Sequence, residues 1–141
     1  MLAYPVSDKP INYDEKISMQ PKLDGVRCVI QSEYVEYHEP NTGKLIKAQA
    51  VKAYSRTGKE WKNIDHILFN LKPWFALNPN VILDGELYNH GLKDDFEKII
   101  SLVRKTKPTD EDRLESAQYV EFHCYDIIDE TKTFEERNNF I

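Results

Sequence analysis

In the first half of the chain, hydrophobic and polar residues alternate over several short stretches with the period of two that is typical of β-strands. Residues 1–16 contain prolines and show no such period, so we expect an extended lead-in there. Turns are favoured at Gly25 and at the segment 40–43 (Pro-Asn-Thr-Gly), the second of which suits a hairpin. The strands that the alternation predicts lie at 17–20, 26–30, 33–38 and 51–55.

Apolar residues recur at helical spacing from residue 64 onwards. This spacing predicts a helix over 64–75, with Asn63 as its N-cap and with Pro73 and Pro79 limiting its length. A second amphipathic helix is predicted over 96–103. The pattern therefore changes from strands to helices near the middle of the chain.

The second half also contains two predicted strands. One is the apolar run 81–83, which leads into Asp-Gly-Glu, and the other is the alternating segment 119–128. Residues 104–117 are charged and are expected to form a loop with at most a short helix, and a helical pattern begins at residue 133. This order of elements predicts an α+β fold, with an antiparallel or mixed sheet flanked by helices.

Length and composition are those of a globular protein, since 40% of the 141 residues are hydrophobic and 11% are aromatic. Such a length supports one domain or part of a larger one. Cys28 and Cys124 form no CxxC pair, which argues against a disulfide framework or a cysteine zinc site and favours a reducing, cytoplasmic setting. We expect neither a signal peptide nor a membrane span, because no apolar run approaches the roughly 20 residues that a span requires.

The net charge of −5 disfavours a protein that binds nucleic acid simply by coating its phosphates. The charge is unevenly distributed, however. Residues 1–62 contain ten Lys or Arg and eight Asp or Glu, whereas residues 63–141 contain nine and sixteen. The basic balance of the first part leaves it able to meet an anion such as a nucleotide.

The first segment with candidate chemistry is Lys22-Leu23-Asp24-Gly25-Val26-Arg27, which lies between two predicted strands. Gly25 permits a tight turn and the close approach of a ligand to the backbone. A lysine amine attacks phosphorus or carbonyl carbon only when neutral, so a site must lower its ordinary pKa of about 10.4. Arg27 is a fixed cation that can bind phosphate or a sugar hydroxyl. The alternative is a polar turn with exposed Lys22 and Asp24.

Two further segments place charged residues beside a glycine. Ser55-Arg56-Thr57-Gly58 puts a cation at a strand end beside a turn, and as a single motif it equally describes a basic surface turn. Asp84-Gly85-Glu86 follows an apolar run, and alternation along a strand puts both carboxylates on one face. Carboxylates so placed can hold Mg²⁺ or accept hydrogen bonds from ribose, and the alternative is a hairpin with Asp-Gly at its tip.

The fourth segment is the strand pattern around Phe122 and Tyr125. Because these residues are three positions apart, a flat strand would place them on opposite faces, one packing in the core and the other facing a cleft. An aromatic ring in a cleft can stack on a nucleobase. The pattern by itself also fits an arrangement in which both rings lie in the core.

In their order and spacing, the four segments resemble the adenylation domain of ATP-dependent DNA ligases, in the covalent nucleotidyltransferase superfamily with its ATP-grasp-like fold. Lys22 to Arg27 matches the nucleophile motif Lys-x-Asp-Gly-x-Arg, and Leu83-Asp84-Gly85-Glu86-Leu87 matches Asp-Gly-Glu-Leu. Ser55-Arg56-Thr57-Gly58 and the aromatic strand ending at 127 match two further elements. The similarity extends over about residues 18–137 and is greatest to small viral or phage ligases.

The resemblance implies a nucleotide site for ATP with Mg²⁺. Lys22 would attack the α-phosphate, releasing pyrophosphate and leaving a lysyl-adenylate. Gln20 occupies the position that reads the adenine amino group, and Pro21 lies between these two residues in the same motif. Tyr125 would stack on the adenine, in a position where most relatives have Phe.

The same resemblance assigns the charged residues to sugar and phosphate. Arg27 and Arg56 would contact the ribose, the nucleotide phosphate or the 5′-phosphate of nicked duplex DNA. Glu86 would bind ribose hydroxyls or support the metal ion. Asp24 and Gly25 would shape the site. The AMP would then pass to the 5′-phosphate, and the 3′-hydroxyl of the nick would displace it.

Later motifs of the family are not found in these 141 residues, namely a Glu/Asp-Gly-x-Val strand, a Lys-x-Lys motif and a small OB-fold domain. Residues 1–141 therefore correspond to the N-terminal part of the adenylation domain. We expect this chain alone to adenylate poorly and not to seal nicks, with a second chain able to supply the missing motifs.

Three alternatives remain open at this point. An mRNA-capping guanylyltransferase shares Lys-x-Asp-Gly-x-Arg and Asp-Gly-Glu, and an RNA ligase is related, although many RNA ligases carry Asn at the position of Arg27. A protein of another class is a non-catalytic chain, either a split-ligase subunit or a degenerate domain. Nucleotide choice, a nicked substrate and complex formation, respectively, distinguish them.

Overall fold

A computed structural model describes residues 8 and 10–141. Its strands are β1 (Val26–His38), β2 (Leu45–Tyr54), β3 (Ile82–Tyr88) and β4 (Glu121–Ile127). They form one antiparallel sheet in the order β2-β1-β3-β4, so that β1 and β3 are central. The helices are α1 (Asp65–Leu77), α2 (Phe96–Val103), α3 (Asp110–Tyr119) and α4 (Phe134–Phe140), with a 3₁₀ turn at His90–Leu92. The predicted α+β class is confirmed, with a purely antiparallel sheet.

The hairpin of β1 and β2 is longer than the alternation predicted. The two predicted strands 26–30 and 33–38 form the single strand β1, and β2 begins at Leu45 rather than at residue 51. Pairing from Val29 with Tyr54 to His38 with Leu45 gives these additional residues backbone partners. The predicted turn at 40–43 closes the hairpin, with Gly43 at φ +66°, a conformation that favours glycine.

One face of the sheet packs against the helices and forms the core. Cys28 and Ile30 of β1 and Leu83 and Leu87 of β3 are at most 5% exposed on this face. They belong to one hydrophobic cluster that also contains the buried helical residues Ile67, Phe75, Ile99, Leu102 and Val103. Alternation along each strand therefore leaves the neighbouring residues on the other face of the sheet.

The helix boundaries correct three expectations. Pro73 does not limit the first helix but lies inside α1, which continues to Leu77. Asn63 is not an N-cap; Ile64 holds that position, and the buried Asn63 amide donates to the carbonyls of Leu102 (3.0 Å) and Asp112 (3.2 Å). The charged stretch 104–117, expected to be a loop with at most a short helix, contains most of the ten-residue α3, because Thr109 and Asp112 form a capping box that starts a helix.

The predicted strand at 17–20 is wrong, since these residues have no regular secondary structure and pair with no strand. Ile17 and Met19 are 44% and 85% exposed, so their alternation with polar residues reflects no buried face. The lead-in prediction falls largely outside the described residues, and those that are described include a turn at 13–15. In the part of the chain that is described, no helix is long and apolar enough to span a membrane.

Candidate active site

The polar face of the sheet, opposite the core face, carries Arg27 of β1 and Asp84 and Glu86 of β3. Arg27 pairs with Glu86 in the β1–β3 register, and Val29 pairs with Asp84. Each carboxylate is preceded or followed along the strand by a buried leucine, so alternation directs both carboxylates away from the core. The predicted placement of Asp84 and Glu86 on one face is confirmed, and the alternative hairpin tip at Asp-Gly is excluded because both residues lie inside β3.

Arg27 and Asp84 form a bidentate ion pair. Nε and Nη2 of Arg27 lie 3.1 and 2.7 Å from the two carboxylate oxygens of Asp84, whose residue is 8% exposed. The hydrogen bonds to Asp84 raise the pKa of Arg27, against the opposing effect of its own burial. Paired charge-assisted bonds of this kind fix the geometry of both side chains. The cation that faces Asp84 is therefore the side chain of Arg27, a pairing that the sequence motifs did not identify.

Glu86 lacks a comparable partner. Burial is the main cause that raises the pKa of its carboxyl, and the charge of Asp84 adds to this effect. The Gly25 backbone N–H, the Arg27 guanidinium and the Tyr125 hydroxyl all act in the opposite direction, with a smaller sum. A half-buried carboxylate in this condition is well suited to accept hydrogen bonds from a ligand or to face a cation.

Gly25 allows the loop before β1 to lie directly against β3. A Cβ atom at this position would be 2.3 Å from the carbonyl oxygen of Leu87 and 2.8 Å from Cγ of Glu86. Neither distance is possible for a real side chain, and the carbonyl is backbone that cannot easily move. Gly25 therefore brings the segment that contains Lys22 to the edge of the polar face, as the expected site-shaping role requires.

Lys22 itself extends into solvent. Its side chain is 92% exposed, and Nζ lies 3.6 Å from Oδ1 of Asp24, which is 77% exposed. Among the described residues, Asp24 is the only ion-pair partner of Lys22. The fold thus brings Gly25, Arg27, Glu86 and Tyr125 into one cluster, while Lys22 and Asp24 remain beside it on an irregular segment.

Tyr125 lies on the polar face at an irregularity in β4. Asp84 pairs with Asp126 and Gly85 pairs with Cys124, so Tyr125 is the extra residue of a β-bulge. Burial, followed by the charges of Asp84 and Glu86, raises the pKa of Tyr125 to about 12. Phe122 packs against the core instead, which confirms the prediction that the two aromatic residues lie on different sides.

Gln20 is held against the same bulge. Its amide Nε2 donates to the backbone carbonyl of Tyr125 at 2.9 Å, although the two residues are 105 positions apart. This bond leaves the amide oxygen Oε1 free to accept, within the described residues. Pro21 follows on the same irregular segment, which this bond and Gly25 hold in place at its two ends.

Arg56 lies in the turn that follows β2, as predicted. Gly58, at φ +86°, and the bond from the Ser55 N–H to the Lys59 carbonyl (2.7 Å) define this turn. Arg56 does not join the Glu86 cluster. Instead it lines an adjacent cleft of about 420 Å³ that it shares with Gly25 and Arg27.

Two further polar groups have partners that the sequence analysis did not assign, although Asp126 lies in its fourth segment. Asp126 forms a nearly buried ion pair with Arg137 of α4, with Nε–Oδ1 at 2.7 Å, and so attaches α4 to β4. Glu33 accepts hydrogen bonds from Tyr54 and Gln31 on the polar face. The register pairs Glu33 with Ala50 and Tyr54 with Val29, so these two side chains meet diagonally across β1 and β2, a contact that alternation alone does not predict.

No three His, Cys, Asp or Glu side chains in the described part of the chain are arranged to hold a metal ion. Comparison of the chain with protein-family models, with curated proteins and with solved structures found no match. Functional inference therefore depends on the residues and their geometry.

Proposed function

We propose that the chain is the nucleotide-binding part of an ATP-dependent DNA ligase. The observation that carries this proposal is the convergence of Gly25, Arg27, Glu86 and Tyr125, which come from three sequence segments and meet on the polar face. If the Lys22–Arg27 segment were only a polar surface turn and the Asp84–Glu86 segment only a hairpin, no such cluster would be expected. The cluster combines a carboxylate acceptor, a fixed cation and an aromatic ring, which together suit a nucleoside phosphate.

In the proposed reaction, Nζ of Lys22 attacks the α-phosphorus of ATP, the bond to the β-phosphate oxygen breaks, and pyrophosphate leaves. The amine must first lose a proton, and it becomes a phosphoramidate linked to AMP. The 5′-phosphate of a nick then displaces Lys22, and the 3′-hydroxyl displaces AMP. The side chain of Lys22 is 92% exposed, so Nζ is accessible to a nucleotide held by the cluster.

Glu86 is the residue that we propose for ribose hydroxyls or for Mg²⁺. Mg²⁺ in proteins typically uses one or two carboxylates together with substrate phosphates, so a site without three clustered ligands fits an ion that arrives with the nucleotide. The raised pKa of Glu86 has the sign expected for a carboxylate that lacks such a cation. When bound, Mg²⁺ would neutralise charge on the phosphates.

The position of Gln20 is compatible with recognition of adenine. One N–H of Nε2 donates to the Tyr125 carbonyl, so Oε1 and the second N–H stay available to a base. Adenine presents an amino group as donor where guanine presents a carbonyl acceptor. Oε1 suits the adenine amino group and the second N–H suits the guanine carbonyl, so the choice of ATP depends on the resemblance around Gln20, and the labelling test distinguishes it from the capping alternative.

One observation favours a weak activity for this chain by itself. The only ion-pair partner of Lys22, in the part of the chain described, is the carboxylate of Asp24. An anion beside Lys22 does not stabilise the charge of a triphosphate, and the guanidinium of Arg27 is already bound to Asp84. We therefore propose that cations supplied by a further segment or by a second chain are needed for efficient adenylation, as in a split ligase.

The test is covalent labelling with α-labelled ATP and, in parallel, α-labelled GTP in the presence of Mg²⁺. Lys22→Ala is the nucleophile variant, and Lys59→Ala is a matched lysine control near the site. We expect label from ATP only, absent in Lys22→Ala and retained in Lys59→Ala. A chain carrying the family's Lys-x-Lys motif is then added in trans, and we expect the label to increase.

Label from GTP would replace the proposal with a capping enzyme. Label that persists in Lys22→Ala would remove Lys22 as nucleophile. No label under either condition, including the addition in trans, would identify a non-catalytic chain. Ligation of a nicked DNA duplex and of its RNA counterpart by the reconstituted pair separates DNA ligase from RNA ligase.

A further inference from the structure

The cleft beside the candidate active site has the features of a binding site for a second ligand that is an anion. The cleft lies between the turn after β2 and helix α2, and three of the chain's five arginines line it, namely Arg27, Arg56 and Arg104. None of its ten lining residues is acidic, although the chain contains 24 Asp and Glu. The local charge is therefore opposite in sign to the net charge of the protein.

Two of these guanidinium groups are not neutralised. Arg27 is bound to Asp84, and outside the cleft Arg113 and Arg137 pair with Asp65 and Asp126. Within residues 8 and 10–141, by contrast, the side chains of Arg56 and Arg104 have neither an ion pair nor a hydrogen bond. Two free arginines facing one cleft without an acid repel each other, and a bound anion would relieve this repulsion.

Arg104 is fixed in place by the helix that precedes it. It is the C-cap residue of α2, and its backbone N–H donates to the carbonyl of Ile100. Ile99, Leu102 and Val103 of the same helix are at most 2% exposed, so α2 is attached firmly to the core. The backbone of Arg104 is thus attached to the core through α2, although its side chain is exposed.

The rest of the lining suits a nucleic acid strand better than a free inorganic ion. Phe96, 37% exposed, and Ile100 give the cleft an apolar wall. Trp61, which is 7% exposed, also lines the cleft, and its Nε1 donates to the carbonyl of Arg27 at 3.3 Å. Ser55 and Thr57 add hydroxyl groups at the turn. Sugar and base contacts need apolar surface, whereas the phosphate needs guanidinium groups and hydroxyl donors.

We propose that Arg104, together with Arg56, binds a phosphate of a nucleic acid strand in this cleft, next to the candidate active site. The proposal rests on the proposed function for the choice of nucleic acid as partner. It gives α2 a role beyond packing in the core, and it assigns a binding role to Arg104, a residue outside all four sequence motifs. The phosphate is either the terminal 5′-phosphate at a nick or an internal phosphodiester.

The experiment measures binding of the chain to three fluorescent DNA duplexes of equal length by anisotropy over a range of salt concentrations. One duplex has a nick with a 5′-phosphate, one has a nick with a 5′-hydroxyl, and one is intact. Arg104→Ala is compared with Arg104→Lys and with the matched control Arg113→Ala, an exposed arginine on α3 outside the cleft.

We expect Arg104→Ala to weaken binding by about tenfold and to reduce the salt slope by about 1, because one phosphate contact is lost. Arg104→Lys should lie between wild type and Arg104→Ala, and Arg113→Ala should stay within about twofold of wild type. A loss confined to the 5′-phosphorylated nick would assign the terminal phosphate to the cleft. An equal loss on all three duplexes would assign an internal phosphodiester.

Equal affinities for Arg104→Ala and Arg113→Ala would overturn the proposal, and so would a wild-type chain that binds none of the duplexes. A lower melting temperature with unchanged affinity would overturn it in favour of a helix-capping role. Reduced labelling by ATP with unchanged DNA affinity would also overturn it, because the cleft would then serve the nucleotide. Labelling of Lys22 is measured separately, so Arg104-dependent DNA binding without any label would reject the ligase proposal and leave this one intact.

Discussion

On β3, Leu83 and Leu87 pack into the core, whereas Asp84 and Glu86 lie one position away on the polar face. The core face is stabilised by removal of apolar surface from water, at roughly 25 cal/mol per Å². The polar face is held by specific partners, since Asp84 has Arg27 and Glu86 has only weaker donors. Alternate residues along one strand thus differ in role: those on the core face determine stability, and those on the polar face are available for a ligand.

The contrast between neighbours on β3 should appear most strongly in Leu87→Ala and Glu86→Ala. Leu87 is fully buried, so its truncation should lower the free energy of unfolding by about 2–5 kcal/mol. Glu86→Ala should change this free energy by less than about 1 kcal/mol and should abolish labelling by ATP. Urea unfolding followed by circular dichroism measures both. Equal losses of stability would show that the two faces do not differ in this way.

On the polar face, Asp84→Asn should have the next largest effect. The half-buried guanidinium of Arg27 would lose its counter-charge, which should lower the free energy of unfolding by about 1–3 kcal/mol. Asp65→Asn, which removes the acid of the exposed pair with Arg113, serves as control and should cost less than about 1 kcal/mol. In a double-mutant cycle, Asp84→Asn should cause little further loss of unfolding free energy once Arg27→Met is present. Losses that add fully would contradict the pairing of these two residues.

The pH dependence of stability should distinguish Glu86 from an ordinary surface carboxylate. The pKa of Glu86 is raised above its usual value of 4.5, so the folded state binds this proton more tightly than the unfolded chain does. The contribution of Glu86 to stability is therefore lost as the pH rises from about 4.5 through the folded-state pKa. Glu86→Gln should gain stability relative to wild type over that window and show no gain below it.

Asp129 has a pKa shift opposite in direction to that of Glu86, and the same unfolding experiment tests it. Its pKa is lowered to about 2, first by Lys132 and then by Thr131. The stability that Asp129 contributes is present above pH 3.8 and is lost as the pH falls towards 2. Asp129→Asn should therefore be less stable than wild type at neutral pH and approach it in acid. The same sign for both variants would rule out opposite shifts.

The smallest expected change in stability concerns Gln20, which is exposed. Gln20→Ala should lower the free energy of unfolding by less than about 1 kcal/mol, because a single exposed bond to the Tyr125 carbonyl is lost. Its effect should appear instead as a reduced preference for ATP over GTP in the labelling assay. Gln20→Glu, which keeps an acceptor, should retain that preference. An unchanged preference in Gln20→Ala would remove Gln20 from base recognition.

Much of the fold was predictable because periodicity is a local property. Helix α2, the hairpin turn and the strand predicted at 81–83 follow from short runs of sequence, and all are found, although the strand continues to Tyr88. The prediction of a strand at 17–20 is wrong because pairing between strands is not a local property. A short alternating run predicts a strand, yet it forms one only where another strand pairs with it, and residues 17–20 have no such neighbour.

The sequence predicted which residues belong to the candidate site, but it did not predict which of them contact each other. Motif positions indicated Lys22, Arg27, Glu86 and Tyr125, and the polar face brings three of them together while Lys22 stays exposed. The pairing of Arg27 with Asp84 joins positions 57 apart. Such a pairing depends on strand register, which no local pattern specifies.

The sequence by itself determined which residues alternate and where turns are favoured. Tertiary structure alone decided that Tyr125 occupies a bulge, that Asn63 joins α2 and α3 instead of capping α1, and that Arg104 shares a cleft with Arg56. The physical reason is the range of the interactions. Propensity and periodicity act between near neighbours, whereas ion pairs, bulges and clefts form between segments that only the folded chain brings together.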